Sequence, residues 1–108
     1  MASANKILGQ NKPVAATPVT LYTVPAATEA NVNIFCANQD GTNPDAVRVA
    51  VTKSGFVLDI INYIAYGTPV AASNILNITG LALAAGDFIT VYSTNGDVSF
   101  NATGIEIS

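Results

Sequence analysis

The chain contains no histidine and no tryptophan, and only one cysteine and one methionine among 108 residues. Without histidine there is no Ser-His-Asp triad, no Cys-His dyad, no imidazole metal ligand and no side chain that ordinarily titrates near neutrality. The lone Cys36 cannot close an intrachain disulfide. Charge is also scarce: four Lys and Arg plus seven Asp and Glu make 10% of the chain, with a net charge of −3, where soluble domains carry roughly 25% charged residues. So few cations exclude a phosphate-tracking surface, and no direct contact with nucleic acid is expected. Long apolar runs are missing too. The nearest candidate, residues 56–64, is broken by Asp59 and Asn62, short of the ~18–20 apolar residues of a membrane helix, so no membrane association is expected. After Lys6 the first residues offer only the apolar pair Ile7 and Leu8, whereas a secretory leader needs roughly seven to fifteen in a row. The expectation is a soluble protein made in a cytosol.

What is present is half hydrophobic, with eleven Asn and eleven Thr scattered between the apolar residues. Thr suits strands and Asn suits turns, so this palette predicts an all-β chain with many tight connections. About a hundred residues make one domain, which buries very roughly two-thirds of the surface its unfolded chain would expose. A surface wetted by neutral polar groups tolerates contact with other protein surfaces, because few ions need desolvating.

Residues 1–18 show neither helical nor strand periodicity and carry Lys6, Gln10, Asn11 and Lys12 before Pro13 and Pro18. They are expected to form an extended N-terminal arm that docks on a neighbouring subunit through Lys6, Ile7 and Leu8, with Pro13 and Pro18 limiting its flexibility; a frayed terminus is the plainer alternative. From Val19 the period shortens to two. Residues 19–24 read as a strand stopped by Pro25, and Val32, Ile34 and Cys36 mark the inward face of a second. Val47, Val49 and Val51 mark a third, Ile89 and Val91 another, and Val98 and Phe100 another, before a final Ile105-Glu106-Ile107. Asn95-Gly96 between two of these is the pair a two-residue type I′ turn favours, and predicts a β-hairpin there. Phe56, Val57, Ile60, Ile61 and Ile64 fit a helical face, but residues 62–66 fit a strand ended by Gly67, which is the reading preferred; residues 74–79 and 81–84 give one or two further short strands. With turn residues every eight to twelve positions and no helix for crossovers, the expected fold is a single-domain antiparallel β-sandwich or jelly roll over 19–108, with the arm in front.

Several clusters invite chemistry. Asn38, Gln39, Asp40, Thr42, Asn43 and Asp45 gather oxygens that suit Ca²⁺, yet Asp-Gly and Asn-Pro are ordinary turn pairs, and no metal site is expected. Asn77-Ile78-Thr79 and Asn101-Ala102-Thr103 match the glycosylation pattern, which chance supplies in so Asn-rich a chain. Asp59, Asp87 and Asp97 are the carboxylates available for glycoside hydrolysis; each sits beside turn residues, so neither a catalytic residue nor a cofactor is expected. Cys36, on the apolar side of its strand, reads as core. Tyr22, Tyr63, Tyr66 and Tyr92 are a candidate sugar-binding face, or simply amphipathic residues at the sandwich rim.

The run Lys6-Ile7-Leu8-Gly9-Gln10, then Leu21-Tyr22-Thr23-Val24-Pro25-Ala26, Phe35-Cys36-Ala37-Asn38, Arg48-Val49-Ala50-Val51, Tyr63-Ile64-Ala65-Tyr66, Leu83-Ala84-Ala85-Gly86-Asp87 and Val98-Ser99-Phe100 resembles small virion structural proteins of tailed bacteriophages, especially those of cyanobacteria and other aquatic hosts. The sequence differs from that pattern at Gly67, where an acidic residue often follows the second Tyr, and in a longer loop over residues 39–45. The resemblance implies a non-enzymatic β-sandwich in the virion, assembled in the host cytoplasm. A capsid decoration (cement) protein fits best, its partners the major capsid protein or other virion proteins. The alternative is a tail, baseplate or fibre accessory module that binds host glycans. A free-standing bacterial carbohydrate-binding domain is a third reading, disfavoured by the missing leader. Exposed β edges and a charge-poor surface suggest a homo-oligomer such as a trimer.

Overall fold

The computed structural model describes residues 2–108. Eight strands form in order: β1 (Ser3–Asn11), β2 (Val19–Thr23), β3 (Glu29–Asn38), β4 (Asp45–Thr52), β5 (Tyr63–Val70), β6 (Ile75–Leu83), β7 (Phe88–Ser93) and β8 (Val98–Ile107), with a 3-10 turn at Ile60–Asn62. They make two four-stranded sheets, ordered β1-β8-β3-β6 and β2-β7-β4-β5, and every pairing is antiparallel. The expected all-β, two-layer sandwich-like fold is what forms.

Period-two burial builds this arrangement. In β3 the side chains of Ala30, Val32, Ile34 and Cys36 are buried while Glu29, Asn31 and Phe35 face out; in β4 Val47 and Val49 point inward. With Val98, Phe100 and Ala102 of β8, and Ile89 and Val91 of β7, these residues make one core between the sheets. The molecule's thinnest dimension, 19 Å, suits two sheets about 10 Å apart with their side chains.

Three expectations need correction. Ser3–Asn11, placed in the extended arm of residues 1–18, instead forms the outer strand of the first sheet, paired with β8 from Ser3↔Ile107 to Asn11↔Phe100. The division at residue 18 therefore cuts through one folded unit. The hairpin at Asn95-Gly96 does not form: β7 and β8 belong to different sheets, and the turn carries the chain across the sandwich. A type I′ turn needs positive φ at both central residues, but of this pair only Gly96 has it, at 77°. Gly67 does not end its strand. It sits at φ 71° where the β4–β5 register slips between Val47 and Arg48, the αL conformation a bulge uses, and β5 runs on to Val70. Residues 75–83 are likewise one strand, with a register slip beside Gly80, whose N–H donates to Asn33 Oδ1 at 3.1 Å.

Candidate interaction surface

The outer face of β7, β4 and β5 carries an aromatic stack around one cation. Antiparallel registry places Arg48 opposite Tyr92 on one side and Tyr66 on the other. The guanidinium carbon lies 4.3 Å from the Tyr66 ring centre and 4.4 Å from that of Tyr92, so the cation is held between two rings. Such contacts contribute ~0.5–1 kcal/mol each at exposed sites and hold the plane of the guanidinium. Tyr63 meets Tyr66 edge to face, with ring centres 5.0 Å apart and planes at 76°. Arg48 has no carboxylate partner: the ion pair among the described residues joins Lys6 to Glu106 at 2.6 Å.

Beside this stack lies the connection between β4 and β5. Asp59 accepts from the Ile60 N–H at 2.7 Å and donates its own N–H to Asn62 Oδ1 at 2.7 Å, a reciprocal cap that shapes the turn Ile60–Asn62. This fixed loop holds large apolar side chains outward: Val57 and Ile61 are each 85% exposed, Phe56 65% and Ile60 62%. Ile64 and Tyr66, both half-exposed, continue the apolar surface onto β5. Scattered apolar residues need no explanation, but a set of this kind, grouped on one loop and the strand after it, makes this face the candidate interaction surface.

The sequence-derived candidates fall elsewhere or take structural roles. Lys6 is engaged with Glu106, Leu8 packs on the core, Pro13 is buried, and Ile7 and Pro18 are exposed; they do not converge on one surface. Tyr22 leaves the expected tyrosine face: it is buried, and its hydroxyl donates to Glu106. Burial first, then the hydrogen bond and charge of Glu106, raise the Tyr22 hydroxyl pKa well above its usual range. Hydrogen bonds from Lys6 and then Tyr22 hold the Glu106 carboxyl below its own. The other three tyrosines do come together, around Arg48.

The oxygens of residues 38–45 serve their own loop. Asp40 Oδ1 accepts from the N–H groups of Thr42 (2.8 Å) and Asn43 (3.2 Å), which lower its pKa. Asn38 donates to the carbonyls of Asn43 and Val70. Asp45, buried at 3% exposure, accepts from the N–H groups of Ala46 (2.7 Å), Asn95 (3.0 Å) and Asp97 (3.3 Å) and from the Ser93 hydroxyl. Burial alone would raise its pKa, but these donors outweigh it and the net shift is downward. Among the described residues no three His, Cys, Asp or Glu side chains are grouped as metal ligands. Asp87 and Asp97 flank the six-residue β7, about 20 Å of strand at ~3.3 Å per residue, too far for the 5–10 Å of a glycosidase carboxylate pair. Asp87 accepts from Ser54 and Ala84 N–H groups, and Asp59 caps its turn. Cys36 is fully buried, and burial pushes its thiol up to about 12. An open groove of about 390 Å³ is lined by Ala27, Ala84, Ala85 and Ile107, with Glu29 its one charged side chain.

Sequence reasoning missed Arg48 because its role needs cross-strand registry, which a linear pattern does not carry. The loop left a clearer signal: residues 56–61 place five apolar side chains in six directly after Ser54-Gly55, where a solvent-facing connection is ordinarily polar. No protein-family model matches the chain, and none of the curated proteins matches it significantly.

Proposed function

We propose that the protein is a structural component of a phage virion, a capsid decoration protein that docks on the shell and stabilises it by bridging neighbouring capsid subunits. The exposed apolar loop beside the Tyr63-Tyr66-Arg48-Tyr92 stack carries this reading. Tyr and Arg are the residues enriched where protein interfaces concentrate their binding energy, and depletion of other charges marks interface centres. The scaffold is consistent with it. Strand orders β1-β8-β3-β6 and β2-β7-β4-β5 support reading the scaffold as a jelly roll, an architecture that recurs in viral capsid and lectin domains. The sequence likeness to small virion proteins supplies the phage context. Many weak contacts repeated over a shell add up through effective concentration, so no single interface need be tight.

In this reading Ser3–Asn11 contributes as a sheet strand rather than as a free arm. Quantitative mass spectrometry of purified virions tests the proposal: hundreds of copies per particle place the protein on the shell. A few to a few tens of copies favour a tail, baseplate or fibre module, for which the three clustered tyrosines offer a glycan-stacking face. Absence from purified particles rejects both.

A further inference from the structure

We propose that the loop and the aromatic stack are two halves of one self-complementary interface, through which copies of this chain associate, Arg48 of one copy taking up Asp59 of another. Arg48 is held flat between Tyr66 and Tyr92, without a carboxylate of its own. A guanidinium fixed in this way presents its N–H fork ready for a planar, bidentate acceptor. The same chain offers that acceptor nearby. Asp59 is exposed within the apolar loop, where its carboxylate caps the Ile60 and Asn62 N–H groups of the turn at the solvent-facing surface. Of the other acidic groups, Glu106 is engaged with Lys6, Asp45 with the β7–β8 turn, Asp87 with Ser54 and Ala84, and Asp40 with its own loop, while Glu29 lies on β3 in the opposite sheet and Asp97 in the β7–β8 connection.

The apolar surroundings fit the same pairing. Phe56, Val57, Ile60 and Ile61 flank the carboxylate, and Ile64, Tyr63 and Tyr66 flank the cation. Phe56, Val57, Ile60, Ile61, Ile64 and Tyr66 leave on the order of 600 Å² uncovered, at the upper end of patches on monomers and near the ~800 Å² per partner of a stable interface. An ion pair closed inside such a ring is shielded from water, where it contributes most to register. A two-fold contact needs one patch that carries both partners of each pair, which this face does. The inference rests on reading this face as a docking surface, not on the virion, and it assigns the face a second copy of this chain in place of a capsid subunit.

Sedimentation velocity of the intact protein from micromolar to submillimolar concentration tests it. A reversible oligomer is expected. Arg48→Asp and Asp59→Arg should each raise the dissociation constant at least ~10-fold, and the double variant should return to within a few-fold of the parent, as expected of a close charge pair. Ile61→Lys, on a side chain that is 85% exposed and makes no cap, should weaken association while leaving the thermal melt unchanged; it keeps the test decisive if either charge variant fails to fold. A parent that stays monomeric throughout overturns the inference. So does an oligomer indifferent to all three substitutions, which would point to pairing through an uncharged edge strand such as β6. Weakening by the single variants without restoration in the double rejects the Arg48–Asp59 pair. None of these results alters the virion copy number, so the two proposals fail separately.

Discussion

Replacing Asp45 tests how the chain crosses from one sheet to the other. Its carboxylate accepts four hydrogen bonds, from Ala46, Ser93, Asn95 and Asp97, within a site that is only 3% exposed. The Ser93 hydroxyl in turn accepts from the Gly96 N–H at 3.0 Å. In Asp45→Asn one carboxylate oxygen becomes an NH2 group. If the amide oxygen keeps the bonds from Ala46 and Asn95, the NH2 faces the Asp97 N–H, and two donors confront each other. One orphaned buried donor costs ~1–3 kcal/mol, and charge-assisted bonds revert to neutral ones, so the expected loss is about 2–3 kcal/mol. Asp45→Ala strands the Ser93, Asn95 and Asp97 donors together and should cost about 4–5 kcal/mol, a large share of the ~5–15 kcal/mol that holds a domain. Urea unfolding followed by circular dichroism measures both. The pH dependence supplies a second check. The folded pKa of Asp45 is lowered, so its contribution is fully present above the unfolded value of ~3.9 and is lost as pH falls through the lower folded value. Parent and Asp45→Asn should therefore converge in stability at the acid end of that window. An Asn variant within ~0.5 kcal/mol of the parent at neutral pH refutes the reasoning, as does a gap that persists in acid.

Other substitutions probe the remaining parts of the scaffold. Cys36, buried and with its thiol pushed up to about 12, should resist a disulfide reagent at mildly alkaline pH and react only as the protein unfolds, with the same denaturant midpoint as circular dichroism; rapid labelling of the native state would contradict its place in the core. Gly104→Ala drives a Cβ into the Asn31 carbonyl oxygen on the neighbouring strand, and should cost ~1–3 kcal/mol through overpacking, read as a lower Tm. Removing residues 1–12 deletes β1, the Lys6–Glu106 pair and the cover that Leu8 gives the core. The truncated chain should melt at clearly lower temperature, whereas an unchanged melt would restore the view of this segment as a dispensable arm.

Much of the fold was legible where one strand face is buried and the other wet. Val32, Ile34 and Cys36, or Val47 and Val49, announce their strands because burial and sequence alternate together. Residues 3–11 gave no such signal, because β1 is an edge strand with most side chains exposed and only Leu8 packed on the core; a strand wet on both faces has no period to read. Asn95-Gly96 misled for a different reason. The pair favours a tight turn locally, but Asp45, fifty positions earlier in sequence, organises the connection with its own hydrogen bonds. In isolation Gly67 reads as a strand end, yet the register closes around it, and around Gly80, as bulges. The candidate surface was half legible. The apolar loop stands out in the sequence, whereas Tyr66, Arg48 and Tyr92 are neighbours only once three strands are in register.

The scarcity of charge acquires a sharper meaning from where the charges sit. Asp40, Asp45, Asp59 and Asp87 hold backbone N–H groups of turns, and Lys6 and Glu106 hold β1 to β8. Most of the chain's carboxylates thus build connections rather than wet the surface, which falls instead to Asn and Thr. A surface of that kind incurs little ionic desolvation on contact with another protein. Arg48 departs from this pattern, since it holds no backbone group and no carboxylate, only the faces of two tyrosines. A cation buttressed in this way and set beside 85%-exposed Val57 and Ile61 adds little to the fold and much to recognition. Substituting Arg48 should therefore change association far more than stability, the reverse of what Asp45 should do.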